Sequence, residues 1–285
     1  MSTVYIGSSA FAASVLAQSG MRPALVITRP PAAKGRGRRV TPTPVAVLAR
    51  EAGLAVAEPE RLEELAAEVA ALSPEAVVLC AYGALVREPL LSAHEILNVH
   101  PSLLPRWRGA APIERAIMAG DERTGVSLMR LVAALDAGPV CAVRATAISA
   151  EDDYGTLSER LATIAARMLD EALAAPRVYV EQPLDGVTYA EKLTAADREL
   201  SPQRSAAELE RTVRALHPHI GARLPDGLGV LAARIAEHAA APGALTAADG
   251  RLYYGADPGT LELLVVRPPG GRAMDASAYL RGHGV

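Results

Sequence analysis

The sequence predicts an α/β fold, with a Rossmann-like, mostly parallel sheet in the first part of the chain and a small C-terminal β-barrel. Three observations indicate this fold. Strand-like and helix-like segments alternate up to about residue 175, as in sheets with helices on both faces. The run EAVVLCA at 75–81 is almost wholly apolar, which a strand buried on both faces requires. In the tail, short β-like runs are separated by Pro-Gly, Asp-Gly and Asp-Pro-Gly turns, which is typical of a small barrel.

The elements of the first domain follow from its apolar runs and their spacing. Besides 75–81, strands are expected at 4–7, 23–28, 96–100, 125–132 and 140–148. Helices are expected at 11–19, 45–51, 61–72 and 151–173. In the last helix, apolar residues recur at helical spacing at Leu157, Leu161, Ile164 and Met168. The segment 29–44 is rich in Pro, Gly and Arg and is predicted to be a loop.

The chain changes character after the long helix. Residues 182–204 are polar, contain Pro, Gly, Thr and Asp, and show little periodicity, which indicates a linker. A helix at 205–216 precedes the β-like tail. We therefore expect a first domain over 1–181, a linker over 182–204 and an OB-like barrel domain over 205–285.

The composition is that of a globular chain, with 50% hydrophobic and 21% charged residues. No stretch approaches the ~20 consecutive apolar residues that a membrane span needs. The apolar start has no basic residue before Arg22, unlike a signal peptide, so a cytoplasmic location is expected. The chain is also expected to be a monomer. The two cysteines, Cys80 and Cys141, are too few for a disulfide framework or a CxxC metal site. Both are interpreted as buried thiols in strands.

The net charge of −3 conceals an uneven distribution of charge along the chain. Residues 1–50 contain seven Lys or Arg and no acid, whereas the rest of the chain has 22 basic and 32 acidic residues. Four of the seven form a local cluster, namely Lys34, Arg36, Arg38 and Arg39. A basic cluster on an otherwise acidic chain predicts an anionic partner that binds at one place.

The stretch NVHPSLLPRWRGAAP, from Asn98 to Pro112, carries the residues best suited to chemistry. Asn98 and His100 lie two apart at a predicted strand end, so their side chains project from the same face. An amide stabilises a developing oxyanion, and an imidazole exchanges protons near neutral pH. Asp136 also follows a predicted strand and can share the same cleft, where its carboxylate would orient the imidazole or hold a water. These residue types suit acyl transfer, but an Asn-X-His at a strand end is more often an ordinary hydrogen-bonded pair, and the spacing does not decide between the two.

These residues are part of a longer resemblance. NVHPSLLPRWRGAAP resembles the signature of the folate-dependent formyltransferases, and its continuation through SLM resembles the members that act on initiator tRNA. Further matching motifs are spread over most of the chain. They are KGRGRRVTPTPV at 34–45, AYG at 81–83, LDAG at 135–138, TYAEKL at 188–193 and SAAELERTVRAL at 205–216.

The resemblance implies an activity. The family members that act on initiator tRNA transfer a formyl group from 10-formyltetrahydrofolate to the α-amino group of methionyl-initiator tRNA, for translation initiation. The first domain would be the catalytic one. In that scheme Asn98 and His100 stabilise the tetrahedral oxyanion, while Asp136 positions His100 and a water.

The resemblance also implies binding residues. The folate site would be lined by Tyr82, Gly83, Ser102, Leu103, Leu104 and Pro105. The tRNA phosphates would be met by Lys34, Arg36, Arg38 and Arg39. The C-terminal domain would be an OB-like tRNA-binding module, although its scattered charges also fit a purely structural role.

Other functions remain open from the residues alone. A sibling formyltransferase for a small amine, such as an amino sugar nucleotide, would share the three polar residues but need no basic loop. A non-catalytic RNA-binding relative is suggested by departures from the family pattern. The departing positions are Ala10, Val132, Ala134, Pro139, 200–202 and 217–219. Hydrolysis of formyl-folate by the same three residues is a further alternative.

Two further kinds of residue have structural alternatives. Trp107, the only tryptophan, lies between two arginines, which favours cation–π packing in the loop as much as contact with a substrate. Three histidines of the second domain have no acidic or cysteine neighbours at metal-ligand spacing and are interpreted as structural or surface residues. They are His217, His219 and His238. No metal is expected.

The basic cluster generates a first testable prediction. Arg36→Ala is expected to weaken binding of initiator tRNA and to flatten its salt dependence, because one phosphate contact and its released counterion are lost. Gel-shift titrations at several salt concentrations measure both effects. The affinity for folate should stay unchanged in the same variant; a loss of folate affinity instead would show that this loop serves the other substrate.

Overall fold

The computed structural model describes residues 2–34 and 39–283, with Lys34 and Arg39 described by their backbone alone. The chain forms two compact units. The first comprises Met1–Ala110, Thr124–Thr146 and Ser158–Ala190. The second comprises Ala111–Arg123, Ala147–Leu157 and Glu191–Val285. Each unit gathers segments that are distant in sequence, so the boundaries 1–181, 182–204 and 205–285 stay a prediction.

The strands up to residue 190 include those of the large sheet. They are Thr3–Gly7 (β1), Leu25–Ile27 (β2), Ala32–Lys34 (β3), Arg39–Thr41 (β4), Val56–Ala57 (β5), Ala76–Cys80 (β6), Ile96–His100 (β7), Arg108–Gly109 (β8), Arg123–Arg130 (β9), Val140–Ala147 (β10) and Tyr189–Ala190 (β11). Every residue of β1, β6 and β7 is buried, because the sheet is covered on both faces.

The large sheet has seven strands in the order β10-β9-β7-β6-β1-β2-β5. The neighbours from β7 to β5 run parallel, whereas β9 pairs with β7 in the antiparallel sense. This confirms the mostly parallel sheet. In parallel strands the carboxyl ends lie at one edge, so the end of β7 at His100 opens onto the edge where such sheets bind ligands.

The helices agree with the predicted ones and add three more. In chain order they are Ala10–Gln18 (α1), Pro44–Glu51 (α2), Ala66–Ala71 (α3), Leu90–Ala93 (α4), Pro112–Ala119 (α5), Tyr154–Ala174 (α6), Ala206–Leu216 (α7) and Ala276–Gly282 (α8). A 3₁₀ turn at Leu62–Leu65 precedes α3. The apolar stripe of α6 is buried at Leu157, Leu161 and Met168, as its spacing predicts. Helices α4, α5 and α8 have no counterpart among the predicted elements.

The second unit is built on an antiparallel sheet, as expected for a barrel-like domain. Its strands are Ala222–Arg223 (β12), Gly229–Ala236 (β13), Leu245–Ala248 (β14), Arg251–Gly255 (β15), Thr260–Arg267 (β16) and Met274–Asp275 (β17). The order is β12-β13-β16-β15-β14, with β17 on β16. Helix α7 starts at a capping box between Ser205 and Glu208, which satisfies backbone donors at its first turn. Its apolar face packs into the core beneath the sheet at Leu209, Val213 and Leu216.

Two predicted irregular segments are more ordered than expected. The segment 29–44, predicted to be a loop, contains the antiparallel pair of β3 and β4, in which Lys34 is the register partner of Arg39. The predicted linker contributes β11 to the first unit, where it pairs in parallel with β8. Later in the linker, Ala196–Arg198 forms a 3₁₀ turn in the second unit. The β8–β11 pair joins residues far apart in the sequence, and the short β3–β4 hairpin lies in a stretch rich in Pro, Gly and Arg, so neither leaves a periodic signal. The loop prediction was therefore wrong at β3 and β4, whereas the linker bounds stay a prediction.

The two cysteines lie in strands, as predicted, but differ in burial. Cys80 is buried in β6, and burial raises the pKa of its thiol to about 12. Cys141 lies in β10 but is only partly buried, and burial raises its pKa as well.

Among residues 2–34 and 39–283, no helix combines the length and apolar character that crossing a bilayer requires.

Asp153 makes a charged contact within the second unit. Its Oδ1 accepts the Thr156 N–H at 2.8 Å, and its Oδ2 lies 2.8 Å from Nδ1 of His217. Partial burial raises the pKa of Asp153, but the hydrogen bonds from Thr156 and His217 outweigh it and hold the pKa below its ordinary value of 3.8. The carboxylate therefore stabilises the folded state at pH values above that ordinary value. This contribution is lost as the pH falls through the lowered, folded-state pKa.

Asp153→Asn is accordingly expected to destabilise the protein at pH 7, and the difference from wild type should shrink as the pH falls below about 4. Denaturant unfolding at a series of pH values measures it. The matched control is Asp249→Asn, at an exposed turn, which should stay within about 0.5 kcal/mol of wild type. A difference that grows on acidification would contradict the assigned role.

Candidate active site

Asn98 and His100 lie in the last three residues of β7, with exposed fractions of 6% and 4%. Both side chains point to the same face, because residues two apart in a strand do so. Both approach Asp136, which follows β9 in the connection to β10. The structure therefore brings together the three polar residues that the sequence predicts in one site.

Asp136 contacts its neighbours through both carboxylate oxygens. Oδ2 accepts the Gly109 N–H at 2.8 Å, and Oδ1 faces Nδ2 of Asn98 at 3.4 Å. Oδ2 also lies 3.7 Å from Nδ1 of His100. This distance is too long for a direct hydrogen bond. It is short enough for a carboxylate to attract a protonated ring. The backbone of Asp136 is left-handed, with φ of 44°, which a non-glycine residue rarely adopts.

The imidazole of His100 is oriented by a backbone group. Its Nε2 lies 2.8 Å from the carbonyl oxygen of Trp107. A carbonyl only accepts hydrogen bonds, so Nε2 must carry the proton of the neutral ring. Nδ1, the nitrogen on the Asp136 side, is then the nitrogen without a hydrogen in the neutral ring. This arrangement suits a group that transfers protons next to a carboxylate.

The loop between β7 and β8 is held rigid by its own hydrogen bonds. Ser102 is fully buried, and its hydroxyl donates to the Arg106 carbonyl at 2.6 Å. Ser127 of β9 donates to the Ser102 carbonyl at 2.8 Å and accepts the Leu104 N–H at 3.1 Å. These bonds fix the course of the chain from His100 to Trp107.

Trp107 makes a cation–π contact with its neighbour Arg106, which is one of the two roles expected from the sequence. The Arg106 guanidinium carbon lies 4.4 Å from the centroid of the indole ring. The backbone of Trp107 has a positive φ of 61°, which turns its carbonyl toward His100.

The residues predicted to bind folate fall into two groups. Tyr82 lines a pocket of about 220 Å³, whose walls include Arg29, Glu63, Leu85 and Arg87. The Arg29 guanidinium donates to the carbonyl of Gly83 at 3.1 Å, and burial raises the pKa of Tyr82. The residues of the second group do not line this pocket. They are Ser102, Leu103, Leu104 and Pro105, which belong to the loop after β7.

Two of the four basic residues predicted to bind tRNA, Arg36 and Arg38, lie outside the described residues. The backbones of Lys34 and Arg39 pair across β3 and β4. In the described part of the chain, no cluster of three or more His, Cys, Asp or Glu side chains could hold a metal ion.

The three second-unit histidines interpreted from the sequence as structural or surface residues have partners that fit such roles. Nε2 of His219 lies 3.0 Å from the Glu114 carboxylate, and its ring stacks on Tyr154. His238 stacks on Tyr253. With His217 on Asp153, two of the three have acidic partners that their local sequence does not provide.

Two residues at the site were not predicted from the sequence. Gln182 donates to the backbone carbonyl of Asp136, and Thr188 accepts the Trp107 N–H. Both lie in the predicted linker. The signal that could have found Thr188 is the TYAEKL motif, which starts there; nothing in the sequence singles out Gln182.

Comparison with known proteins identifies the family. Residues 8–173 match the family model described as formyl transferase, and residues 192–284 match the formyl transferase C-terminal domain. The chain belongs to the formyl transferase family. Relatives in this family include proteins named methionyl-tRNA formyltransferase. One from Halorhodospira halophila is 45% identical, over 98% of this chain and 95% of its own. One from Methylococcus capsulatus is 40% identical, over 99% of this chain and 97% of its own.

Solved structures share the fold of this formyl transferase chain. An N-formyltransferase from Helicobacter canadensis has a TM-score of 0.69 at 13% identity, over 92% of this chain and 98% of that one. HypX from Aquifex aeolicus has a TM-score of 0.67 at 16% identity, over 98% of this chain and 48% of that one. At these identities the likeness concerns the fold alone.

The geometry around Gly109 generates a prediction about stability. Gly109 has a φ of 120°, and a Cβ at this position would lie 2.7 Å from the carbonyl oxygen of Ala190. Gly109→Ala is therefore expected to destabilise the protein by roughly 1–3 kcal/mol and to displace the N–H that Asp136 accepts. Thermal unfolding measures the loss.

Gly186→Ala is the matched control, because Gly186 also has a positive φ, of 80°, but a Cβ added there would meet nothing within 4 Å. Its cost should stay near the ~1 kcal/mol of the backbone conformation alone. Equal losses for the two variants would show that the close approach to Ala190 is unimportant.

Proposed function

We propose that this chain transfers the formyl group of 10-formyltetrahydrofolate to the α-amino group of methionine on initiator tRNA. The observation that carries the proposal is the Asn98–His100–Asp136 cluster at the end of β7, in a chain 40–45% identical to proteins named methionyl-tRNA formyltransferase. An amino sugar nucleotide is disfavoured as the acceptor, because the formyl transferase that shares the fold and was solved with such a ligand is only 13% identical.

The proposed reaction begins with attack of the methionyl amine on the formyl carbon. A C–N bond forms, and negative charge develops on the formyl oxygen. Asn98 donates a hydrogen bond to this oxygen. Its Nδ2 has two hydrogens, and the long 3.4 Å contact with Asp136 engages at most one of them. A preorganised amide donor of this kind is typically worth about 3–4 kcal/mol in the transition state.

His100 handles the proton in this scheme. With Nε2–H directed at the Trp107 carbonyl, Nδ1 accepts the proton that the amine loses. The Asp136 carboxylate at 3.7 Å stabilises the protonated ring and positions a water beside it. The proton then passes to the folate nitrogen as its bond to the formyl carbon breaks, which returns His100 to its neutral form.

The folate donor is assigned to Tyr82 and Gly83 together with Ser102, Leu103, Leu104 and Pro105. Support comes from the pocket that Tyr82 lines and from the internal hydrogen bonds that keep the loop after β7 rigid. A rigid loop positions a donor without losing conformational entropy on binding.

The acceptor tRNA is assigned to the basic cluster, formed by Lys34, Arg36, Arg38 and Arg39. Its positive charge is the opposite of the net charge of the rest of the chain, and phosphates are the partner that such a cluster favours. The deciding assay compares formylation of methionyl-initiator tRNA, uncharged tRNA and free methionine with 10-formyltetrahydrofolate as donor. Formate appearing without an acceptor would indicate hydrolysis, and absence of formyl-methionyl-tRNA would refute the proposal.

The role of Asn98 yields a quantitative prediction. Asn98→Ala is expected to lower kcat about 10²- to 10³-fold with little change in KM, since the lost donor acts in the transition state. Asn98→Asp, which keeps the shape but replaces the donor by an acceptor beside Asp136, should lose at least as much. Steady-state formylation of methionyl-tRNA measures both. Wild-type kcat in Asn98→Asp would exclude the amide as the oxyanion donor.

A further inference from the structure

Gln182 uses its whole hydrogen-bonding capacity on backbone and side-chain groups around Asp136. Its Nε2 donates to the carbonyls of Asp136 and Gly138, each at 2.8 Å. Its Oε1 accepts from Nε and Nη2 of Arg108, at 3.1 and 2.7 Å. An amide side chain has two donor hydrogens and two acceptor sites, so none is left for a ligand. Gln182 therefore links the segment from Asp136 to Gly138 with the Arg108 side chain.

Thr188 makes the corresponding contacts six residues later. Its hydroxyl oxygen accepts the Trp107 N–H at 2.9 Å, and its carbonyl accepts the Arg108 N–H at 2.9 Å. Strand β11 then continues the contact by pairing Tyr189 with Arg108 and Ala190 with Gly109. The segment 182–190 thus binds backbone groups of the site at both of its ends. One end contacts the carbonyl of Asp136, and the other contacts the N–H of Trp107, whose carbonyl meets His100.

The two contacted residues need such support. Asp136 has a φ of 44° and Trp107 a φ of 61°, and neither is glycine. Left-handed conformations of this kind cost roughly 1–3 kcal/mol each and persist only where surrounding contacts impose them. The backbone of Asp136 determines where its carboxylate lies, and the backbone of Trp107 determines where its carbonyl lies.

We propose that Gln182 and Thr188 are positioning residues for formyl transfer, which fix the Asp136 carboxylate and the Trp107 carbonyl on either side of the His100 ring. The inference rests on the proposed function. Neither residue touches the reacting groups; each acts through the backbone that it holds. The segment 182–190 is thereby part of the catalytic apparatus rather than a connection between domains.

The first test separates the two halves of the Gln182 contact. Gln182→Glu keeps an acceptor for Arg108 but cannot donate to the carbonyls of Asp136 and Gly138, whereas Gln182→Leu loses both. Both variants should lower kcat about 10- to 100-fold, with KM for the folate donor within about twofold of wild type. Gln203→Glu is the control, because Gln203 is exposed and its contact with Ser201 uses the acceptor oxygen alone. It should keep wild-type kcat.

The second test uses conservative rescue at position 188. Thr188→Val keeps the size but removes the acceptor of the Trp107 N–H, and Thr188→Ser retains that acceptor. We expect a loss of kcat in Thr188→Val that Thr188→Ser restores to within about threefold of wild type. Equal activity of the two, or wild-type kcat in both Gln182 variants, would overturn the proposal.

A spectroscopic measurement separates this proposal from the proposed function. The chain has six histidines, and ¹⁵N-histidine NMR with a His100→Gln variant for assignment reports the protonation of each His100 ring nitrogen. Wild type should show a proton on Nε2 in the neutral ring, and Gln182→Glu and Thr188→Val should show exchange between the two ring forms. This outcome does not depend on which acceptor is formylated.

The formylation assay and the NMR measurement together test the proposed function and the positioning role separately. If wild type does not formylate methionyl-tRNA while the His100 signals change as expected, the proposed function fails and the positioning role stands. If His100 signals are the same in all variants and kcat falls only with the folded fraction seen by circular dichroism, the positioning role is refuted.

Discussion

The hydrogen bond from the Gly109 N–H to the Asp136 carboxylate is the contact on which the site depends. Asp136 lies 38 residues beyond Asn98 in the chain. It follows β9, which runs antiparallel to the strand β7 that carries Asn98. Without a donor at this point, the carboxylate would gain more by turning to solvent, since an unpaired carboxylate is costly to bury. Held by Gly109, it stays within reach of both Asn98 and His100, and the three form one site.

Backbone groups make the direct contacts that orient the Asp136 carboxylate and the His100 ring. The Trp107 carbonyl fixes which nitrogen of His100 carries a proton, and the Gly109 N–H fixes the carboxylate. Such a framework depends on the course of the loop, which side chains such as Ser102 and Gln182 in turn hold in place. This explains how the chain can depart from the family pattern at Val132 and Ala134 while the three polar residues still meet.

The sequence predicts the large sheet well, because β6 is a continuous apolar run whose burial leaves a strong local signal. It also predicts that Asn98 and His100 share a face, since strand alternation is local. It does not predict the pairing of β8 with β11 or of β3 with β4, because those contacts are made by backbone groups in polar stretches. Helix α5 is absent from the predicted elements although it has local signals, with Pro112 in its first turn and Gly120 as a left-handed C-cap.

The position of the single tryptophan has a practical consequence. The indole of Trp107 belongs to the same residue whose carbonyl meets His100, so all the tryptophan fluorescence of the chain originates beside this histidine. Emission intensity and wavelength then report events in this cleft without any attached dye. Ligand occupancy and local loosening of the loop become observable in real time by stopped-flow mixing on the unlabelled protein.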